Sequence, residues 1–203
     1  MTRIFFLTIS RFRRAIGGRK SGDNRMKMFP IGSLLLIPCF AFAVVAPAGI
    51  VSAKNAPIVC AIQTVNGHYL TAVGGGGRTT DVIHTDAKQA RAWEKFTLED
   101  LDLGTSPITY GIKTSNGHYL TAVGGGGRIS DVIHSDATQP RAWEQFVFES
   151  LGNGWYDIKT VNGHYLTATG GGGHSTEVPE TIHSDATKVD SWEKFMPICE
   201  PPV

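Results

Sequence analysis

This sequence has very little that reads as helix. No window carries apolar side chains at the three- and four-residue spacing that buries one helical face, so an all-β chain is expected. Charge is scarce too, at 18% of 203 residues, and the length suits one globular domain with its own core. Eight of the 19 basic side chains and one of the 18 acidic ones precede Lys54. From Lys54 onward 11 basic and 17 acidic side chains remain, a formal charge of −6, with the cations dispersed. A surface that grips a phosphate backbone needs clustered Lys and Arg, so a nucleic-acid role is excluded. Cysteine is rarer still: of three, only Cys60 and Cys199 lie beyond residue 53.

The N-terminal stretch is different in kind. From Met28 to Ala53 there is no charged side chain, and the apolar runs Leu34–Ile37 and Ala43–Ala46 follow Arg25 and Lys27. A basic head, an apolar middle and the small residues Val51-Ser52-Ala53 stand in the order of a secretory signal. Residues 1–53 are therefore read as an export signal with an extended basic head, with Met26 or Met28 as alternative starts, and 54–203 as the exported domain. The competing reading is an uncleaved anchor, since a membrane span needs about 20 residues. Pro30, Pro38 and Pro47 oppose a regular helix of that length, so no stable membrane insertion is expected after cleavage. Two cysteines bracketing the exported domain suggest one disulfide, with a pair of buried thiols as the alternative.

What the sequence has in abundance is itself. Residues 62–99, 112–149 and 158 onward are one unit written three times, giving repeats of about 57–103, 107–151 and 154–199. The third copy carries three extra residues in its middle loop, at 177–181. Asn66-Gly67 stands between two alternating runs, the sequence signature of a hairpin whose two central residues take positive φ. His68 to Val73 is then a return strand, the tetraglycine Gly74–Gly77 a loop, Asp81 to Ala87 a third strand, and a fourth begins near Trp93. Four strands in each of three copies, with outer copies like the inner one, are satisfied by a β-trefoil; three blades are too few for a propeller, and a solenoid needs distinct caps.

The motif Asn66-Gly-His-Tyr-Leu-Thr-Ala72, a glycine-rich loop, Asp86-Ala87 and then Trp93-Glu-Lys-Phe96 resembles the fascin-like branch of β-trefoils. It recurs at 116–122, 136–137 and 143–146, and again at 162–168, 185–186 and 192–195. The resemblance implies that Ile62, Leu70, Phe96, Leu98 and their counterparts form the barrel core. It also implies that the first and last strands are neighbours, which would set Cys60 beside Cys199. For function it implies protein binding of the actin-bundling kind, although this chain has one trefoil and an export signal where bundling fascins join several in the cytosol.

Several features invite chemical readings. The glycine loops lack the strand, lysine and helix that make a phosphate cradle, so no nucleotide or other cofactor is expected. His134-Ser135-Asp136 and His183-Ser184-Asp185 hold the residue types of a hydrolase triad, but strand neighbours point to opposite faces, and Thr85 replaces the serine in the first copy. No enzyme is expected. His84 and Asp86 lie two apart on one strand and so share a face, yet two ligands do not make a zinc site, and no metal is expected. Trp93, Trp143 and Trp192 either pack on the barrel rim or stack on sugar rings, and Glu94, Glu144 and Glu193 hold loop amides. His68, His118 and His164 stand exposed at the hairpin edges beside Asn66, Asn116 and Asn162.

These readings converge on a secreted, non-catalytic binding module. Its ligand is expected to be a polysaccharide or glycan at up to three equivalent sites. The primary site residues are His84, Asp86 and Trp93; His134, Asp136 and Trp143; and His183, Asp185 and Trp192. Asn66, His68, Asn116, His118, Asn162 and His164 are secondary candidates. The alternative is a fascin-like module for actin or a cell-surface protein.

Overall fold

A computed structural model describes residues 57–101, 103–104, 106–175 and 180–201; the expected export signal lies outside the described residues. Each repeat supplies four strands. The first gives β1 (Ile58–Thr64), β2 (Tyr69–Ala72), β3 (Ile83–Ala87) and β4 (Lys95–Asp100). The second gives β5 (Thr109–Lys113), β6 (Tyr119–Ala122), β7 (Ile133–Ala137) and β8 (Gln145–Gly152). The third gives β9 (Trp155–Thr160), β10 (Tyr165–Ala168), β11 (Ile182–Ala186) and β12 (Phe195–Cys199).

The outer strands of each repeat pair antiparallel in the ring β1–β4–β5–β8–β9–β12 and back to β1. This is a closed six-stranded barrel, and closure removes the exposed edges of an open sheet. The inner strands form the hairpins β2–β3, β6–β7 and β10–β11, each joined to the barrel by one residue pair: Gln63↔Tyr69, Lys113↔Tyr119 and Lys159↔Tyr165. Barrel plus three hairpins, one per repeat, is a β-trefoil.

The core repeats in layers. Phe96, Phe146 and Phe195 are fully buried with Ile62, Ile112 and Ile158, and Leu70, Leu120 and Leu166 lie above them. Removing one such side chain from water stabilises the fold by about 1.5–3 kcal/mol. The layer begun by Leu98 is less regular, since its counterparts Phe148 and Pro197 are only partly buried. Cys60 and Cys199 are register partners on β1 and β12 and are joined by a disulfide that spans 139 positions of sequence.

Two local features differ from the expectation. The turn after β1 closes through Gly67 N–H donating to the Thr64 carbonyl and Thr64 N–H to the His68 carbonyl. Gly67 has φ +82°, but Asn66 does not take positive φ, so this is the longer hairpin with glycine in its last position rather than a two-residue turn. Trp93 is not on a strand either: it sits in a one-turn 3-10 helix, Ala92–Glu94, that precedes β4.

Candidate functional site

The tryptophan corner is built from buried groups outward. Glu94, Glu144 and Glu193 are buried, and each carboxylate is divided between two donors. One oxygen accepts the hydroxyl of Thr71, Thr121 or Thr167 at 2.9, 2.6 and 2.8 Å. The other accepts the backbone N–H of Arg91, Arg141 or Asp190 at 2.7 Å in every copy. This clasp ties the corner to the hairpin strand β2, β6 or β10 and fixes the residue before each glutamate. That residue is Trp93, Trp143 or Trp192, and each is 49% exposed. Of the two roles open to these tryptophans, packing on the rim leaves half of each ring in water.

Beside Trp143 lies a cleft of about 720 Å³ lined also by Asp136, Thr138, Gln139 and Arg141. The sequence therefore identified two of its members, Asp136 and Trp143, and missed Arg141 and Gln139, which differ between copies and so lie outside the repeated motif. Asp86 and Asp136 are exposed, and Asp185 is half-buried.

The histidines at 84, 134 and 183 belong elsewhere. A bulge separates the Tyr69↔Ala87 and Thr71↔His84 pairs, so three residues of β3 face two of β2, and the same irregularity recurs in β7 and β11. The extra residue breaks the alternation of faces, so His84 and Asp86 do not share one. His84 instead lines a depression of about 330 Å³ where the three repeats meet, with Asp81, Asp131 and Glu180. His84 Nε2 lies 2.7 Å from Asp81 Oδ1 there, whereas His134, outside that lining, has its Nε2 2.8 Å from Asp131 Oδ1, and His183 is half-buried on β11. Arg78 and Arg128 hold the other oxygens of the same aspartates at 3.2 Å. The third copy breaks this pattern, with Glu180 Oε1 accepting the Asp131 N–H at 2.9 Å. The serine of each His-Ser-Asp triplet is buried, and the Oγ of Ser135 and of Ser184 accepts the N–H of Arg78 and of Arg128 respectively. Histidine, serine and aspartate thus point into three different environments.

The Asn-Gly-His corners join neighbouring repeats. Asn116 Nδ2 donates to the Gly74 carbonyl at 2.9 Å, and its N–H donates to Gly75 at 3.1 Å. Asn162 does the same to Gly124 and Gly125, and Asn66 to Gly170 and Gly171, which closes the circle from third repeat to first. Gly76, at φ +102°, lies so close to Thr114 that a Cβ would collide with the hydroxyl. His118, His164 and His68 stand over Gly77, Gly127 and Gly173, half-buried rather than exposed as expected. The asparagines are thereby occupied by the glycine loops, Nδ1 of each of these histidines is buried with no hydrogen-bond partner among the described residues, and neither residue type lines the tryptophan cleft. Among the described residues no three His, Cys, Asp or Glu side chains are grouped to hold a metal.

The barrel, its hairpin triplet and the threefold corner define the class, a β-trefoil. No family model matches this chain, and no curated protein matches it. Among solved structures it is similar to ThreeFoil, a designed threefold-symmetric protein, at TM-score 0.54 and 12% identity over 70% of this chain and 96% of that one. It is similar to SeviL, solved bound to asialo-GM1 saccharide, at TM-score 0.51 and 15% identity over 70% and 98%. A mosquitocidal holotoxin matches at TM-score 0.54 and 11% identity over 70% of this chain but only 17% of its own. At these identities the likeness is one of fold.

Proposed function

We propose that this protein is an exported, non-catalytic carbohydrate-binding module with up to three sites, one at each of Trp93, Trp143 and Trp192. The observation that carries this reading is the threefold tryptophan: a large aromatic face left half in water, on a corner immobilised by a buried carboxylate, is a preorganised surface for a sugar ring. Asp86, Asp136 and Asp185 stand at the matching position of each copy to accept sugar hydroxyls. SeviL, which shares the fold, was solved with a saccharide, and that supports a glycan as the ligand class. Three weak sites on one rigid barrel gain avidity for a repeating polymer. The buried serines argue against a nucleophile in the His-Ser-Asp triplets, and the Cys60–Cys199 disulfide favours an oxidising, extracytoplasmic setting. Among the described residues no helix is long and apolar enough to cross a membrane.

A glycan array probed with the purified protein tests this. Polysaccharide binding is expected, and Trp93→Ala, Trp143→Ala and Trp192→Ala should weaken it stepwise, each site by roughly two- to tenfold for a stacking contribution of about 0.5–1.5 kcal/mol. An array silent for every glycan, with the protein co-sedimenting with actin filaments, would transfer the assignment to fascin-like protein binding.

A further inference from the structure

The three tryptophan corners share tryptophan, aspartate and clasp, with a cleft described at the second, but their rims differ in charge. Four arginines lie in the described residues. Arg78 and Arg128 are locked onto Asp81 and Asp131. Arg91 and Arg141, at the tryptophan corners, engage only their backbone N–H, and both side chains are exposed with no hydrogen bond or ion pair among the described residues. Arg141 lines the cleft at the second corner, beside Trp143 and Asp136.

At the equivalent position the third repeat has Asp190, whose Oδ1 accepts the Ser191 N–H at 2.8 Å. The surrounding residues extend the contrast. With the clasp carboxylate counted, the first corner sets Lys88 and Arg91 against Asp86 and Glu94 and balances; the second sets Arg141 against Asp136 and Glu144, an excess of one negative charge; the third sets Lys188 against Asp185, Asp190 and Glu193, an excess of two.

We propose that the three tryptophan corners form a graded set in which the first and second take acidic saccharides and the third takes neutral ones. This rests on the reading of the corners as glycan sites. The group recognised is a carboxylate or sulfate on a sugar whose ring lies on Trp93 or Trp143. A guanidinium suits it because its planar fork matches two oxygens of either anion, and a free fork has no internal partner to give up. At the third corner the Asp190 carboxylate occupies the place of that fork and repels the same ligand. The pairing is solvent-exposed, so the preference should be modest, about fivefold, and should fade as salt shortens the screening length below about 8 Å.

Nuclear magnetic resonance of the four tryptophan indole N–H groups reads each corner separately, with Trp155 as the signal outside them. The probes are a neutral oligosaccharide, the same oligosaccharide ending in a uronate, and its sulfated form. The expected result is that an acidic probe shifts Trp93 and Trp143 at about one fifth of the concentration needed by the neutral one, and Trp192 does not gain. Arg91→Gln and Arg141→Gln should each abolish the preference at their own corner, so that acidic and neutral probes bind there alike, while Asp190→Arg should create it at the third. Whichever anion is preferred identifies the group. Equal affinity for neutral and acidic probes at every corner overturns the grading and leaves the glycan reading standing; so does an acid preference that survives Arg91→Gln and Arg141→Gln. No shift with any probe overturns both.

Discussion

Replacing Glu144 separates a structural from an ornamental carboxylate. Glu144→Ala removes the acceptor for two donors, the Thr121 hydroxyl at 2.6 Å and the Arg141 N–H at 2.7 Å, in a site closed to water. Each orphaned donor costs about 1–3 kcal/mol, so the loss of two should be about 2–6 kcal/mol. Glu144→Gln behaves differently. Its carbonyl oxygen can accept the Arg141 N–H while its amide donates to Thr121 Oγ, because a hydroxyl accepts as readily as it donates. That exchange gives up only the ionic part of the bonds, about 1 kcal/mol. Equilibrium unfolding in urea measures both, and the Trp143 indole signal should broaden in the alanine variant alone as its corner loosens. An alanine variant within 1 kcal/mol of the parent, or a glutamine variant as damaged as the alanine one, would refute the clasp.

Three further outcomes follow from the fold. Gly126→Ala, which meets the Thr160 hydroxyl at φ +99°, should cost about 2–4 kcal/mol, whereas Gly104→Ala, with open space around it, should cost about 1 kcal/mol; thermal melts compare them. Replacing Cys60 and Cys199 together by serine should cost about 4–5 kcal/mol for a loop of 139 positions, and reductant should lower the parent to the same midpoint. Asp157, 2% exposed with Oδ1 unpartnered, has its pKa pushed up to about 6 by burial and then by the Glu149 charge. Folding therefore favours its protonated form, and the resulting stability is complete below the unfolded pKa of 3.8 and lost as pH rises through about 6. Asp157→Asn should be more stable than the parent at pH 7.5, by up to about 3 kcal/mol, with the gap closing near pH 4 in parallel denaturation series.

Much of the fold was legible because it is written three times. Repetition located the hairpins, the loop glycines and the position of the tryptophan without reference to any contact. What repetition hid was direction. His84 and Asp86 stand two apart and alternate cleanly on paper, but a bulge in β3 turns one toward the threefold axis and leaves the other at the rim. Asn66 marks a turn in the sequence, but its amide spans to a glycine 104 positions away, a contact no local pattern announces. Arg91 and Arg141 escape repetition for the opposite reason: their third counterpart is Asp190, so they stand outside what the three copies share.

Because Cys60 and Cys199 close the chain on itself, every backbone bond between them lies on a covalent ring. A protease that cuts once, in any loop of any repeat, opens that ring without releasing a piece. Loss of material requires a second cut or a reductant. A single nick then becomes a survivable injury.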